Sequence, residues 1–352
     1  MKTGNVTGAV YDRSIHKKLK ISQNNHVTGA VKGEDCAFFS CPDAAKKIIT
    51  ARSLTAYSCE KCGAYAVYSA ANQAAAAGAS KILGILLEIL LPPDALEQQL
   101  RKIVEDAQQA AIELGTVLAD VKASVTAAVN CSTVTATAVG MITCTADGRD
   151  NAVGRVNDAA GGNACAAGRV QRAQKPAGSQ IVMTKWAGLE GSTILANACE
   201  SRLAERYPSY LIDEAKNFMR YLFVTQEAAA AVKSGVGAMC AVSEGGVFHA
   251  LWTLAERAGV GLEIDLKKIP IRQETVEICN WLDVNPYELA GNGSLLCIAK
   301  DGEALVDELQ KEGVFAAVIG RVTDNNDRVI LNGEERRFLE PAKEDEIYKI
   351  LK

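Results

Sequence analysis

A segment with almost no large apolar side chains divides this chain into two parts. Residues 146–178 are rich in Gly, Ala, Asn and Arg, and a segment of that composition cannot supply a hydrophobic core. The flanking parts are each long enough to bury a core of their own. We therefore predict two domains, 1–145 and 179–352, joined by an insertion or linker at 146–178.

Alternating helix and strand patterns indicate a mixed architecture in both parts. The alanine-rich segment 59–79 predicts a helix, and the apolar run 82–91, which two prolines end, predicts a strand. Residues 94–118 carry apolar side chains at helical spacing, whereas the Thr- and Val-rich segment 129–142 favours a strand. We expect an α/β (α+β) fold. In the second part the predicted strands are 180–184, 261–264, 294–299 and 315–322.

Composition and charge exclude several classes of function. The chain has 38 Lys and Arg against 42 Asp and Glu, and this acidic balance argues against a nucleic-acid-binding protein, since such proteins carry a basic excess. The longest apolar run, 82–91, is too short for a membrane span. The first twenty residues lack the apolar core of a signal peptide. We therefore expect a soluble, cytoplasmic protein without nucleic-acid or membrane partners.

Several motifs occur in a fixed order along the chain and together carry a family resemblance. In the second part they are "MTKWAGLEGSTILA" (183–196), "MCAVSEGGVFHALWTLAERAGVGLEIDLKKIPI" (239–271), "NPYELAGNGSLLCIAK" (285–300) and "GVFAAVIGRVT" (313–323). In the first part they are "GEDCA" (33–37), "SAANQAAAAGAS" (69–80) and "LLEILLPP" (86–93). These segments resemble the aminoimidazole ribonucleotide (AIR) synthase superfamily, and within it the AIR-synthase-related proteins that are similar to hydrogenase maturation factors.

The resemblance implies a fold, a partner and a cofactor. It implies an N-terminal domain that dimerises through a shared β-barrel and a C-terminal α/β domain packed against it, so the expected partner is a second copy of the chain. It also implies ATP near the subunit interface. Carboxylates from several loops would hold the phosphates through Mg²⁺, which prefers oxygen ligands. The γ-phosphate would then be transferred to an amide-type oxygen.

Compared with the family pattern, the positions implied to form the nucleotide site are partly retained and partly changed. The retained residues are Glu34, Asp35, Asn72, Glu244, Gly245 and Gly246. At four other positions an acid of the family pattern is absent. There the chain has Arg52 in a Thr-Asp-Pro-like loop, Gln73 in the Asn-Asp-Leu-Ala motif, Lys122 in the Gly-Gly-His-Thr-Glu loop and Ala241 in the Asp-Val-Thr-Glu-Gly-Gly motif.

Loss of the same chemical group at several loops points to abandonment of Mg·ATP chemistry. Arg52 and Lys122 could replace the cations and hold an anionic ligand, or the pocket is vacant and the chain acts as a scaffold. We therefore predict a degenerate homologue that binds a ligand, such as a nucleotide or other small molecule, or a protein. The alternative is an active ATP-dependent enzyme in which Glu34, Asp35 and Glu244 suffice, with help from Arg52 and Lys122.

Four of the 11 cysteines suggest a further site. Cys59 and Cys62 form a C-x2-C motif, a spacing that can grip zinc or an iron–sulfur cluster. Cys36 follows the Gly-Glu-Asp motif and Cys240 occupies the family's His position, so both could line the same pocket. These four residues are candidate ligands of a metal or cluster, or form a thiol site. The competing interpretation is that they are small buried hydrophobic residues.

Overall fold

The computed structural model describes residues 36–41, 46–143, 178–340 and 344–351, together with residues 10, 13–14 and 27–28. Glu34, Asp35 and nearly all of the predicted insertion lie outside these described residues. The described chain forms two mixed β-sheets with helices packed against them, which confirms the α/β (α+β) prediction. Within the described residues, no helix combines the length and apolar character that crossing a membrane requires.

The first sheet belongs to the N-terminal part. Its strands are Val27–Thr28 (β1), Cys36–Ser40 (β2), Lys46–Thr55 (β3), Lys81–Leu91 (β4), Leu118–Val125 (β5) and Thr133–Thr143 (β6). Their order across the sheet is β1-β2-β3-β6-β4-β5. Neighbouring strands are antiparallel except for β4 and β5, which are parallel. The helix Glu97–Glu113 (α2) makes the crossover that a parallel pair requires.

The helix Cys62–Ala76 (α1) is buried on almost every side. Its many alanines let neighbouring elements approach closely, and a Cβ atom at Gly63 would lie 2.2 Å from the carbonyl oxygen of Ile103 on α2. One side of α1 packs on the first sheet and the other on the C-terminal part. A single apolar cluster accordingly joins Ile49 of β3 to Leu195 and Phe218 of the C-terminal part.

The second sheet belongs to the C-terminal part. Its strands are Gln180–Thr184 (β7), Ala238–Ala241 (β8), Gly261–Asp265 (β9), Leu295–Ala299 (β10), Ala316–Thr323 (β11), Arg328–Asn332 (β12) and Glu335–Phe338 (β13). Their order is β13-β12-β9-β11-β7-β10-β8. The helices of this part are Leu189–Ala198 (α3), Glu200–Ala204 (α4), Ser209–Lys216 (α5), Thr225–Lys233 (α6), Gly246–Ala258 (α7), Gln273–Leu282 (α8) and Gly302–Lys311 (α9).

Two strands of the first sheet differ from the sequence-based expectation. The helix predicted over 94–118 ends at Glu113, because Gly115 has a left-handed backbone with φ 67°, and β5 follows as an edge strand. Nearly every side chain of β5 is exposed, so its sequence lacks the apolar alternation by which a strand is recognised. The long strand β3 was also missed, because its polar face interrupts the apolar pattern.

One face of the first sheet, which we call the outer face, points away from α1. Along β3 the side chains alternate, and Ile49, Ala51 and Ser53 are buried. The Ser53 hydroxyl donates to the carbonyl oxygen of Ala66 on α1 at 2.6 Å, which fixes the buried side. The intervening residues lie on the outer face, whose apolar and Thr side chains include Phe39, Thr50, Leu86, Thr135 and Thr137.

Candidate ligand-binding site

A small pocket with a cavity volume of about 30 Å³ lies where the two parts meet. Three acidic side chains of the C-terminal part line it, and hydroxyl groups come from the N-terminal part. The lining residues are Leu54, Thr55, Tyr57, Ser69, Glu190, Glu244, Ala290, Asn292 and Asp345. The pocket therefore combines carboxyl, amide and hydroxyl groups.

Glu190 lies in the first turn of α3 and is 3% exposed. Its Oε2 atom accepts a hydrogen bond from Nδ2 of Asn292 at 2.9 Å. Burial raises the pKa of Glu190 to about 8; the hydrogen bonding of Asn292 lowers it in part, and the negative charges of Asp345 and Glu244 raise it by smaller amounts. The side chain is therefore protonated at neutral pH and can donate a hydrogen bond.

Asp345 is held by backbone N–H groups from three separate places in the chain. Its carboxylate accepts from Gly245 at 2.6 Å, from Ala290 at 3.3 Å and from Ile347 at 2.8 Å. Burial nevertheless raises its pKa to about 7, with a contribution from the charge of Glu244, because the three hydrogen bonds offset only part of the cost of burying the charge.

Glu244 begins the Glu-Gly-Gly motif at the start of α7. Gly245 and Gly246 both have left-handed backbones, with φ values of 81° and 64°. A Cβ atom at Gly246 would lie 2.6 Å from the carbonyl oxygen of Tyr287, so only glycine fits there. The Tyr348 hydroxyl is hydrogen-bonded to the Glu244 carboxylate, and burial together with this acidic neighbour raises the pKa of Tyr348.

Asn292 gives the pocket an unused acceptor. It is 3% exposed, and its Oδ1 atom has no hydrogen-bond partner among the described residues. A buried carbonyl oxygen without a partner costs about 1–3 kcal/mol. A ligand that donated an N–H or O–H group to this atom would remove that cost.

The other implied nucleotide-site residues lie apart from this pocket. Asn72 on α1 donates from Nδ2 to the carbonyl oxygen of Leu222 at 2.7 Å and accepts from the N–H of Val224 at 3.0 Å. It therefore joins the two parts of the chain. The neighbouring Gln73 has a buried Oε1 atom that lacks a hydrogen-bond partner within the described residues.

Arg52 and Lys122 are exposed residues of the outer face, on β3 and β5, and neither lines the pocket. Arg52 lies between the buried Ala51 and Ser53, so strand alternation directs it outward. Lys122 pairs with Glu88 in the parallel ladder. The predicted loop around Lys122 is therefore a strand, and a shared anion site for the two basic residues remains a prediction.

The four cysteines proposed as ligands do not converge on one point. Cys36 lies on β2 of the first sheet and donates toward the carbonyl oxygen of Gln73 at 3.6 Å, whereas Cys240 lies on β8 of the second sheet. Only Cys59 and Cys62 are neighbours, at the start of α1. Within the part of the chain that the structure describes, no group of three or more His, Cys, Asp or Glu residues is arranged to hold a metal ion.

Sequence reasoning missed six polar residues of the pocket, which are Thr55, Tyr57, Ser69, Glu190, Asn292 and Asp345. Glu190 and Asn292 lie inside the quoted motifs "MTKWAGLEGSTILA" and "NPYELAGNGSLLCIAK", so the motifs marked their segments but not their role. Tyr57 and Asp345 carried no signal, because they reach the pocket only through the packing of segments far apart in sequence.

Comparison with known proteins finds a family match in the C-terminal part and several curated relatives. Residues 176–332 match the family model for the AIR synthase related protein, C-terminal domain. Carbamoyl dehydratase HypE of Rhodobacter capsulatus is 30% identical over 164 residues, which is 46% of this chain and 44% of that protein. Phosphoribosylformylglycinamidine synthase subunit PurL of Symbiobacterium thermophilum is 42% identical over 73 residues, which is 20% of this chain and 9% of that protein. The chain thus matches less than half the length of these curated relatives.

Solved structures resemble the chain over most of its length. Escherichia coli HypE, a hydrogenase maturation protein, superposes with a TM-score of 0.66 at 17% identity and covers 85% of this chain and 86% of that one. AaThiL complexed with AMPPCP and TMP gives a TM-score of 0.66 at 16% identity, and the match covers 96% of this chain and 100% of that one. At identities this low, the two matches show a shared fold and nothing more. Residues 176–332 therefore carry the AIR synthase related C-terminal domain, and the relatives and the fold agree with the resemblance found in the sequence.

Proposed function

We propose that this chain is a divergent, hydrogenase-maturation-like protein that has lost the Mg·ATP chemistry of its superfamily and binds a small polar ligand in the pocket of Glu190, Asn292 and Asp345. The observation that carries the proposal is the unpartnered Oδ1 atom of Asn292, which is buried beside a carboxyl group that is protonated at neutral pH. The chain could also act as a scaffold for a protein partner, because neither role requires catalysis.

The described residues of the implied nucleotide site support the loss of Mg·ATP chemistry. Asn72 is engaged in joining the two parts of the chain, and Gln73 presents a neutral amide where the resemblance implies a carboxylate. Glu244 lies in the pocket, bonded to Tyr348. A carboxylate set that could neutralise a triphosphate is therefore not assembled among the described residues. Glu34 and Asp35 lie outside them.

The chemistry of the pocket favours a small amide. The protonated carboxyl group of Glu190 can donate to a ligand carbonyl, and Oδ1 of Asn292 can accept from a ligand N–H. A primary amide or carbamoyl group carries both functions within a few ångströms. The name carbamoyl dehydratase, carried by relatives from Rhodobacter capsulatus and Azotobacter vinelandii, supports this class of ligand.

An active ATP-dependent enzyme is the second candidate. It is favoured by the fold that this chain shares with a hydrogenase maturation protein HypE crystallised in complex with ATP, at a TM-score of 0.64. In this case Glu34, Asp35 and Glu244 would supply oxygen ligands for Mg²⁺. Transfer of the γ-phosphate of ATP would then activate an amide-type oxygen.

Calorimetric titration of ATP with and without Mg²⁺ separates the two candidates. We expect no binding that requires Mg²⁺ and no Mg²⁺-dependent release of phosphate. Binding that ignores Mg²⁺ and is lost in the Arg52→Ala and Lys122→Ala variants would agree with loss of metal chemistry and identify these residues as substitutes for the cations. Mg²⁺-dependent binding with hydrolysis would overturn the proposal and support the enzyme.

Thermal unfolding in the presence of acetamide and N-carbamoylglycine tests the pocket directly. We expect each amide to raise the melting temperature of the wild-type chain, and expect this rise to vanish in Asn292→Ala. Glu105→Gln, on the exposed side of α2, should retain the full rise. Equal responses of the wild-type and Asn292→Ala proteins, or no response at all, would contradict the assignment of the ligand.

We also propose that the chain forms a homodimer through the outer face. Phe39 and Leu86 on this face are 38% and 41% exposed, and the face combines Thr and aliphatic side chains with the charged Arg52 and Lys122. Such a surface is typical of an interaction site. Two such sheets packed face to face would form the barrel-like interface that the superfamily resemblance implies.

A further inference from the structure

Strand β5 leaves one of its main-chain edges without a partner. It is the last strand of the first sheet, and within the described residues no strand pairs with its free side. Just after β5, the N–H of Thr126 donates to the carbonyl oxygen of Leu91 on β4 at 2.9 Å. Because main-chain groups alternate in direction along a strand, the N–H and C=O groups of Val121, Ala123 and Val125 point away from β4. They form the free edge of the sheet.

This edge is long and has few of the features that keep edge strands apart. β5 has eight residues, contains no proline and has Lys122 as its only lysine. Val121 and Val125 are 38% and 66% exposed, and Val117, which comes just before the strand, is 56% exposed. An exposed edge of this length and composition is a template for pairing with another strand.

The sequence of β5 is complementary to itself. When two copies of the strand run antiparallel with Val121 opposite Val121, residues equally far on either side of this position lie opposite each other. Val117 of one copy then faces Val125 of the other, and Asp120 faces Lys122. Valines therefore meet valines, and each acid meets a base.

The two charged side chains have no partner within one copy. Asp120 and Lys122 are exposed, and neither forms an ion pair with another residue that the structure describes. Both lie on the outer face, because the parallel ladder pairs them with Leu86 and Glu88 of β4. A charge that is buried in a dimer without an opposite charge is costly. The antiparallel register supplies an opposite charge to each of the two residues.

We propose that β5 pairs with β5 of a second copy of this chain, antiparallel and with Val121 on the two-fold axis. The N–H of Val121 in each copy donates to the carbonyl oxygen of the partner's Val121. On both sides of this centre, Asp120 faces the partner's Lys122. The pairing uses the same surface of both copies, so it closes at two.

The pairing rests on the homodimer proposed above and adds an edge and a register to it. The two first sheets join at β5, and the joined sheet folds over this edge. The two outer faces are thereby brought together. The main-chain edge of β5 and the side chains of the outer face then belong to one continuous interface.

Cysteine cross-linking of the full chain tests the register. We expect Val121→Cys to form a disulfide between two copies on oxidation with copper phenanthroline, because the Cα atoms of a hydrogen-bonded antiparallel pair lie about 5.5 Å apart. Val125→Cys is the matched control. Val125 lies opposite the partner's Val117 and about 27 Å from the partner's Val125, so this variant should stay unlinked. Peptide mass spectrometry distinguishes these links from any link between native cysteines.

Changes of charge test the same register without a cross-link. Asp120→Lys and Lys122→Asp should each raise the dissociation constant of the dimer about tenfold, because like charges then lie opposite each other. An equimolar mixture of the two variants should form the heterodimer in preference to either homodimer, and native mass spectrometry measures the proportions. Glu105→Lys, at an exposed position of α2, should leave the dissociation constant unchanged.

The outcomes separate the pairing of β5 from the dimer on which it rests. A reduced wild-type chain that sediments as a monomer would overturn both. A dimer in which Val121→Cys stays unlinked, or in which Val125→Cys links equally well, would overturn the pairing of β5 and leave the outer-face dimer in place. A mixture of the two charge variants that shows no preference for the heterodimer would also contradict the register.

Discussion

Asp345 accepts a hydrogen bond from the backbone N–H of Gly245 at 2.6 Å, across 100 positions of sequence. The same carboxylate also holds Ala290 and Ile347. One side chain therefore ties the 344–351 segment to the Glu-Gly-Gly turn and to the loop before Asn292. The shape of the pocket depends on this one acid.

Asp345→Asn should destabilise the chain and release the 344–351 segment. Asparagine offers one oxygen where the aspartate uses two, so at least one of the three N–H groups loses its partner, at a cost of about 1–3 kcal/mol. Urea denaturation measures this cost, and hydrogen exchange should quicken at Gly245 and at residues 346–349. Glu344→Gln, at the exposed neighbouring position, should change neither measurement.

The stability of the chain should fall as the pH rises from about 5 to 8. The pKa values of Glu190 and Asp345 are raised by folding, to about 8 and about 7, so between the unfolded and folded values the native state holds protons that the unfolded state releases. Each such proton lowers the free energy of unfolding by about 1.4 kcal/mol per pH unit.

Glu190→Gln isolates one of these two groups. Glutamine keeps an acceptor for Asn292 and cannot ionise, so the variant should lose less stability between pH 5 and pH 8 than the wild type. Urea midpoints at these two pH values measure the difference, with Glu105→Gln as the control. Parallel pH profiles for the wild-type and Glu190→Gln proteins would show that Glu190 does not hold its proton in the native state.

Adjacent residues of α1 should respond very differently to truncation. Asn72→Ala leaves the carbonyl oxygen of Leu222 and the N–H of Val224 without their partner, and we expect a loss of about 2–4 kcal/mol. Gln73→Ala removes an Oε1 atom that has no partner among the described residues, and should cost less than about 1 kcal/mol. Chemical denaturation of the two variants gives the comparison, and equal losses would refute the joining role of Asn72.

Leu86→Asp should convert the proposed dimer to a monomer. The side chain is 41% exposed on the outer face, and a carboxylate buried between two sheets would have no partner to offset its desolvation. Sedimentation equilibrium measures the mass. Ile112→Asp changes an apolar residue that is 57% exposed on α2 and should leave the mass unchanged. A wild-type chain that sediments as a monomer would rule out the interface.

The fold was predictable where local patterns and motifs agree. The alanine-rich sequence of α1 and the apolar runs of β4 and β7 identify their elements, because burial on a helix or strand imposes its own periodicity. The pattern fails for β5, whose side chains are exposed, and for β12 and β13 at the edge of the second sheet. Edge strands bury less apolar surface and leave a weaker signal.

The site was predictable only in part, for a different reason. The Glu-Gly-Gly motif marks its loop, since the left-handed backbones at Gly245 and Gly246 require glycine. Asp345 acts through hydrogen bonds to loops that lie far away in sequence, so no local sequence pattern could have predicted its role. The direction of Arg52 likewise follows from the register of β3, which pairing with β6 sets.

The burial of α1 on both sides determines how this chain can be divided. Ala75 and Ala76 pack with the second sheet, while Tyr65 and Ala70 belong to the core that includes the first. In a fragment that ends near residue 145, the side of α1 that packs on the C-terminal part would be exposed to water, and that side is apolar. Recombinant halves should therefore precipitate when expressed singly and recover solubility when produced together, as complementing fragments of one molecule.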